Sequence, residues 1–368
     1  LQLTAVHRSQ LPAAIANLLA EGTVIPAHPL ALTAERTLDR TRQRALTRYY
    51  VEAGAGGLAV GVHATQFAIR ERGLYAPVLE LAALTAQQHL NAMGGTRPLV
   101  MIAGLAGDTA QAIAEAKTAL SLGYHCGMLS LSAMRGASQD ALIAHCEAIA
   151  AEIPLVGFYL QTAVGGIELP ASFWQRFAAI DNVVAIKVAP FNRYRTLDVA
   201  RGIALARAEN RVALYTGNDD HIVLDLVTPL AVRRPARRGA GTEEVRLQVR
   251  GGLLGHWSVW THAAVKLFER IKEARRFSRI DTDLLALDAR VTDCNAALFD
   301  VAHQFAGCIA GCHEVLRRQG LLAGIWCLDP NETLSPGQAE ALDRVCREHP
   351  DLIDDDFVRS GLDRWLKD

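Results

Sequence analysis

Eight short apolar runs, separated mostly by stretches of helical periodicity, constrain this chain more than anything else in its sequence. The runs fall at residues 23–27, 57–61, 99–104, 126–131, 155–160, 183–188, 212–216 and 255–259. Between them, apolar residues recur three and four apart in 34–52, 85–92, 109–121, 139–151, 170–179 and 197–208, with Asp108 and Ser138 placed as caps near two of the starts. Strand and helix alternating at steps of roughly 25 to 35 residues predict an α/β fold of the (β/α)8 TIM-barrel kind. A doubly wound open sheet is the competitor, but no GxGxxG follows the first run.

Two additions enlarge this frame. Between the seventh and eighth runs, around 230–250, Val245, Leu247 and Val249 alternate with Arg246, Gln248 and Arg250 after a Gly-containing turn, which predicts an inserted β-hairpin. Its six arginines read as a solvated face, with a subunit contact or a lid recruiting an acidic substrate as the livelier option. After about residue 262 the pattern is wholly helical. Leu362, Trp365 and Leu366 are placed to pin the last helix to the body. The expected division is a barrel over 1–262, with its N-terminal helix and hairpin, and a helical region over 263–368 packed against it.

Composition narrows the function classes. Of the residues, 50% are hydrophobic and 21% charged, and 38 basic side chains nearly cancel 39 acidic ones. That balance argues against a nucleic-acid partner. No apolar run approaches the roughly 20 residues that cross a bilayer, and no export signal is visible at the start. Seven scattered cysteines without CxxC pairs fit a reducing, cytoplasmic setting.

Positive charge is written almost entirely as arginine. The five lysines are Lys117, Lys187, Lys266, Lys272 and Lys367, and Lys187 alone stands in an apolar strand, NVVAIKVAP. Burial there favours the neutral amine, a nucleophile towards carbonyls. The bland alternative is a lysine that snorkels from the strand end to water. Tyr159, in IPLVGFYLQTAVGG on the preceding strand, could relay protons beside it, or simply pack in the core with a satisfied hydroxyl.

These segments together resemble the dihydrodipicolinate synthase / N-acetylneuraminate lyase family of class I, lysine-dependent aldolases. IPLVGFYLQTAVGG resembles the family's strand-five tyrosine segment, VVAIKVAPFN its Schiff-base lysine segment, TRPLVMIAGLAGDTAQAI its third strand and glycine loop, and LYTGNDD its Gly-Asp segment after strand seven. The 28 positions from Tyr159 to Lys187 suit the family's pair. Phe158 is the rival match, because Tyr159 lies five residues after Pro154 where the family has four; the forward spacing to Gly166 and Lys187 favours Tyr159. The resemblance implies a TIM barrel with a helical C-terminal region, a homo-oligomer (dimer or tetramer), and an imine between Lys187 and a 2-oxo acid such as pyruvate, with neither metal nor organic cofactor.

Departures from the family pattern change the expected substrate. The family's paired hydroxyls, which hold the keto acid's carboxylate, are replaced positionally by Val62 and His63, and its Tyr-Tyr after strand four by Ala133-Met134. A role as a true dihydrodipicolinate synthase is therefore not expected. The groups expected to bind substrate instead are His63, Thr65, His28, Gly217, His256 and Trp257, all placed near predicted strand ends. Each histidine taken singly reads more readily as structural. Asp219-Asp220-His221 reads as a cap or pocket rim rather than a metal site, and Cys308 and Cys312 as core cysteines on one helix face. The expected activity is an aldolase-type lyase, with a keto-deoxy sugar acid dehydratase and a non-catalytic metabolite-binding barrel as alternatives.

Overall fold

The computed structural model of the chain describes residues 5–95, 97–237, 240–277 and 280–367. Strands β1 (Val24–Pro26), β2 (Gly57–Val60), β3 (Val100–Leu105), β4 (Cys126–Leu129), β5 (Leu155–Leu160), β6 (Val183–Ala189) and β7 (Ala213–Thr216) are followed by a hairpin strand β8 (Pro229–Pro235) and a long β9 (Thr242–Leu254). Parallel pairing runs in the order β1-β9-β7-β6-β5-β4-β3-β2. A parallel bridge from Ala27 to Ala59, with the His28 N–H donating to the Ala59 carbonyl at 2.8 Å, brings β1 and β2 together. The result is an eight-stranded, nearly closed parallel barrel followed by additional helices.

Both faces of the short strands are buried, as all-parallel sheets require, so the strands read as apolar runs rather than alternating ones. Alternation still sorts the side chains. Val156, Phe158, Ala185, Tyr215 and Leu253 fill the barrel interior, while Leu155, Tyr159, Ile186, Val188 and Leu214 pack outward against the helices. Asp108 and Ser138 cap helices Thr109–Ser121 and Gln139–Ala150 by accepting the Gln111 and Ala141 N–H groups. Helix Ala13–Glu21 closes the end where the strands begin: Ile15 and Leu19 join the inner core, and the Tyr215 hydroxyl donates to the Leu19 carbonyl at 2.9 Å.

The eighth barrel strand is not where the sequence places it. Residues 256–258 form a 3-10 turn, and the strand is the second half of β9, whose first half pairs antiparallel with β8. The hairpin is therefore an extension of the barrel strand itself. Glycine in β9 serves the closure: a Cβ on Gly251 would stand 2.3 Å from the Thr23 carbonyl oxygen, where β9 passes β1. Because β8 pairs with the N-terminal half of β9, the hairpin projects from the end opposite the strand C-termini. Arg234 ties it to the barrel flank through a bidentate pair with Glu209 at 2.7 and 2.9 Å and a bond to Glu243 at 2.7 Å. That direction excludes a lid over the strand C-termini. Arg238 and Gly239, in the segment where the sequence predicts the turn, lie outside the described residues.

Helices Thr282–Leu298, Cys308–Arg318, Gln338–Glu348 and Asp355–Trp365 follow the barrel. Trp365 is buried against Tyr49, with ring centroids 5.6 Å apart, and the Tyr49 hydroxyl donates to Asp354 at 2.7 Å. At the other end of this region the Leu328 N–H donates to the buried Gln66 side chain at 2.6 Å, tying the extension to the loop after β2. No helix among the described residues is long and apolar enough to cross a membrane.

Candidate active site

Lys187 is the fifth residue of β6 and points into the barrel. It lines a cavity at the C-terminal ends of the strands, and its Nζ stands 4.5 Å from the centroid of the Phe158 ring. Desolvation by these walls pushes the amine well below the ordinary lysine range, and the negative charge of Asp219 opposes that shift. Asp219 follows β7 and lines the same cavity. Burial pushes its carboxyl up, against the pull of Lys187 and with a smaller contribution from Asp220. Each group is driven towards its neutral form.

The loop carrying Asp219 is held on three sides. The Asn218 side chain accepts the Phe191 N–H at 3.1 Å and donates to Asp225 at 3.0 Å, and Asn295 donates to the Asp219 carbonyl at 2.7 Å. Oδ1 of Asp219 is sealed from solvent and has no hydrogen-bond partner. Gly217 packs against the lysine stem: a Cβ there would come within 2.5 Å of the Lys187 Cε. Only a residue without a side chain leaves room for Lys187 at this point.

Tyr159 does not share this cavity. Its ring packs against Trp174 on the outer face of the sheet, centroids 5.1 Å apart, and its hydroxyl bonds the Leu169 carbonyl and N–H at 3.3 and 3.2 Å. Phe158, the rival match, occupies the inward position and pairs in register with Lys187. The physical reason is a one-residue irregularity in pairing: Leu155 pairs with Val183 but Val156 with Ala185, so Val184 is absorbed and the parity changes. Counting residues between Tyr159 and Lys187 is blind to that.

The other expected site residues divide. His63 and Gly217 line the cavity. His63 is pushed down to about 4, chiefly by burial and then by the nearby Lys187 charge, so it is neutral near pH 7. Thr65 turns away: its hydroxyl accepts the Gly61 N–H at 2.9 Å and donates to the His28 carbonyl at 2.7 Å, which braces the turn after β2. His28 packs its ring edge-on to Tyr50 and bonds Thr47 at 2.8 Å, while its neighbours Ala27 and Pro29 face the cavity. His256 and Trp257 are buried in the layer beyond the strands, against Trp260 and Phe268, and do not line the cavity. None of these four side chains lines the cavity, for one reason: a residue at a strand end can face the barrel axis or the helical layer, and only the tertiary register decides which.

Sequence reasoning missed the outer wall of the site. Phe299 and Phe305, together with Cys308, Ile309, Cys312 and His313 of helix Cys308–Arg318, close over the cavity from the C-terminal region. The i, i+4 spacing of Cys308 and Cys312 was a usable sign of one shared helix face; what that face meets was not. Among the described residues, Asp293, Glu348 and His349 group closely enough to hold an ion, but Arg344 already engages Asp293 through two 2.8 Å bonds and Glu348 at 2.7 Å.

Comparison with known proteins agrees with this fold. The profile of the Dihydrodipicolinate synthetase family matches residues 21–228. A 4-hydroxy-tetrahydrodipicolinate synthase from Persephonella marina is 24% identical over 192 residues, a match covering 52% of this chain and 61% of that protein. Similar solved folds include a chloride-inhibited dihydrodipicolinate synthase from Acinetobacter baumannii complexed with pyruvate (TM-score 0.70, 19% identity, 90% of this chain and 100% of that one). The N-acetylneuraminate lyase from Fusobacterium nucleatum superposes with a TM-score of 0.68 at 15% identity, over 89% of this chain and 99% of that one. The family profile spans more than half of the sequence and includes the strand that carries the buried lysine; the chain belongs to the Dihydrodipicolinate synthetase family, as a divergent member.

Proposed function

We propose that the protein is a class I aldolase-type lyase in which Lys187 forms an imine with a 2-oxo compound. One observation carries the reading: a lysine amine, desolvated and driven towards its neutral form, faces a cavity at the C-terminal ends of the barrel strands. The pyruvate bound by the Acinetobacter baumannii relative supports a pyruvate-like donor. The protonated imine would act as electron sink, so that a carbanion at C3 is held as the enamine.

The walls shape the substrate. Val62, Met128, Phe158, Leu160, Phe191 and Phe299 make much of the lining, with His63 and Gln161 as neutral polar groups. They favour a compound whose body beyond the carbonyl is apolar, and offer little to the hydroxyls of a sugar acid. A homo-oligomeric, cytoplasmic enzyme is part of the same reading, by analogy with the family.

Incubation with pyruvate or another 2-oxo acid, then borohydride and peptide mass mapping, should place the adduct on Lys187. Lys187→Ala should lose both the adduct and turnover. Turnover that survives in Lys187→Ala would exclude the imine mechanism.

A further inference from the structure

Imine chemistry needs a second group that passes protons between nitrogen and oxygen, and no phenol lines the cavity among the described residues. The titratable side chains that line the cavity with Lys187 are Asp219, His63, Cys308, Cys312 and His313, with Asp220 next to Asp219 outside the cavity wall. His63 and His313 are pushed down to about 4, which leaves them unprotonated at neutral pH. Burial pushes the Cys308 thiol up to about 12 and the Cys312 thiol well above the ordinary cysteine range, so neither supplies a thiolate. Asp219 differs from all of these. It stands on a loop braced by Asn218 and Asn295, it lines the same cavity as Lys187, and its Oδ1 is buried without any hydrogen-bond partner. A buried carboxyl oxygen without a partner is costly in a purely structural position.

From this geometry we infer that Asp219 is the proton-transfer residue of the Lys187 site, in place of a tyrosine. The inference rests on the imine reading above. The neutral amine of Lys187 attacks the carbonyl carbon, and the carbonyl oxygen takes the proton of the Asp219 carboxyl, which leaves a carbinolamine with a positively charged nitrogen. The Asp219 carboxylate removes one proton from that nitrogen and delivers it to the hydroxyl. Water then leaves as the nitrogen lone pair forms the C=N bond, giving a protonated imine and an Asp219 carboxylate. In the cleavage direction, that carboxylate accepts the proton of the substrate's β-hydroxyl. The carbon–carbon bond breaks to release an aldehyde or ketone, and the electron pair passes into the enamine. The elevated affinity of Asp219 for its proton, set by burial, suits the first step, and the positive imine beside it suits the second.

The test compares wild type, Asp219→Asn and Asp219→Glu for the rate of borohydride-trapped adduct on Lys187 and for solvent ¹⁸O exchange into the probe. The probes are pyruvate, phenylpyruvate and hexanal. Asp219→Asn keeps the shape and loses the transferable proton, so both rates should fall by about 10²-fold or more, the range of a positioned acid–base group. Its melting temperature should stay close to wild type, and Asp219→Glu should recover part of the rate. An Asp219→Asn protein that folds and traps at the wild-type rate overturns the inference while leaving the imine intact. An equal loss in Asp219→Glu also overturns it, since the acid would then not be the active feature. Wild type that traps no probe on Lys187 removes the imine reading itself, and the inference with it.

Discussion

At the residue scale, the site depends on which atoms are allowed next to Lys187. Gly217→Ala would set a methyl group against the lysine stem, where a Cβ has only 2.5 Å to Cε. Overpacking of this kind costs about 1–3 kcal/mol, and the flexible stem is what gives way. Expected is a loss of Lys187 trapping of at least tenfold with only a modest drop in melting temperature; trapping at the wild-type rate would mean the stem has room to spare. Tyr159→Phe makes the opposite case. It removes bonds to the Leu169 backbone, worth about 1 kcal/mol in total, on the far side of the sheet from the cavity. Stability should fall slightly and the trapping rate should stay within twofold. A folded Tyr159→Phe protein without imine formation would show that the phenol reaches the lysine after all. Lys187 itself was legible in the sequence because a cation inside an apolar strand is anomalous wherever it falls. The parity of β5 was not, since the irregularity at Val184 that turns Phe158 inward leaves no mark in residue types.

At the scale of elements, β9 does two jobs, and its sequence shows only one of them. The alternation of Val245, Leu247 and Val249 announced the hairpin, but the closing barrel strand was hidden in glycines that serve a close approach to β1. Arg234 anchors this hairpin to Glu209 and to the Ala204 carbonyl. Arg234→Ala should speed amide exchange across residues 229–248 and leave the Lys187 adduct rate unchanged, because the hairpin hangs from the end of the barrel away from the cavity. Slower adduct formation in that variant would argue that strain in β9 reaches the site. The helix Cys308–Arg318 shows the converse limit. Its amphipathic pattern was readable, yet the partner of its cysteine-bearing face is a cavity built at the ends of barrel strands far earlier in the chain.

At the scale of the whole molecule, burial of neutral histidines links stability to pH. His28, His256 and His313 are buried, and each is pushed from 6.5 to about 4 by desolvation. Above about pH 6.5 both folded and unfolded chains carry them neutral, and they contribute no pH dependence. Between 6.5 and 4 the unfolded chain binds protons that the folded chain refuses, so stability falls with falling pH, by about 1.4 kcal/mol per unit for each fully titrating histidine. Denaturant melts at pH 7.5 and pH 5 should therefore show clear destabilisation at pH 5; equal midpoints would mean that these rings are protonated in the fold. Order along the chain, the barrel class, the helix caps at Asp108 and Ser138 and the identity of the one anomalous lysine were all determined by the sequence, because each depends on local periodicity or on the cost of burying a particular group. Which side chains meet at the cavity was decided only by the tertiary structure. Strand parity, the closure of β9 on β1, the docking of the C-terminal helices and the meeting of Asp219 and Lys187 at one cavity all depend on registers between distant segments. A one-residue shift in any of them turns a side chain from the barrel axis to the helical layer.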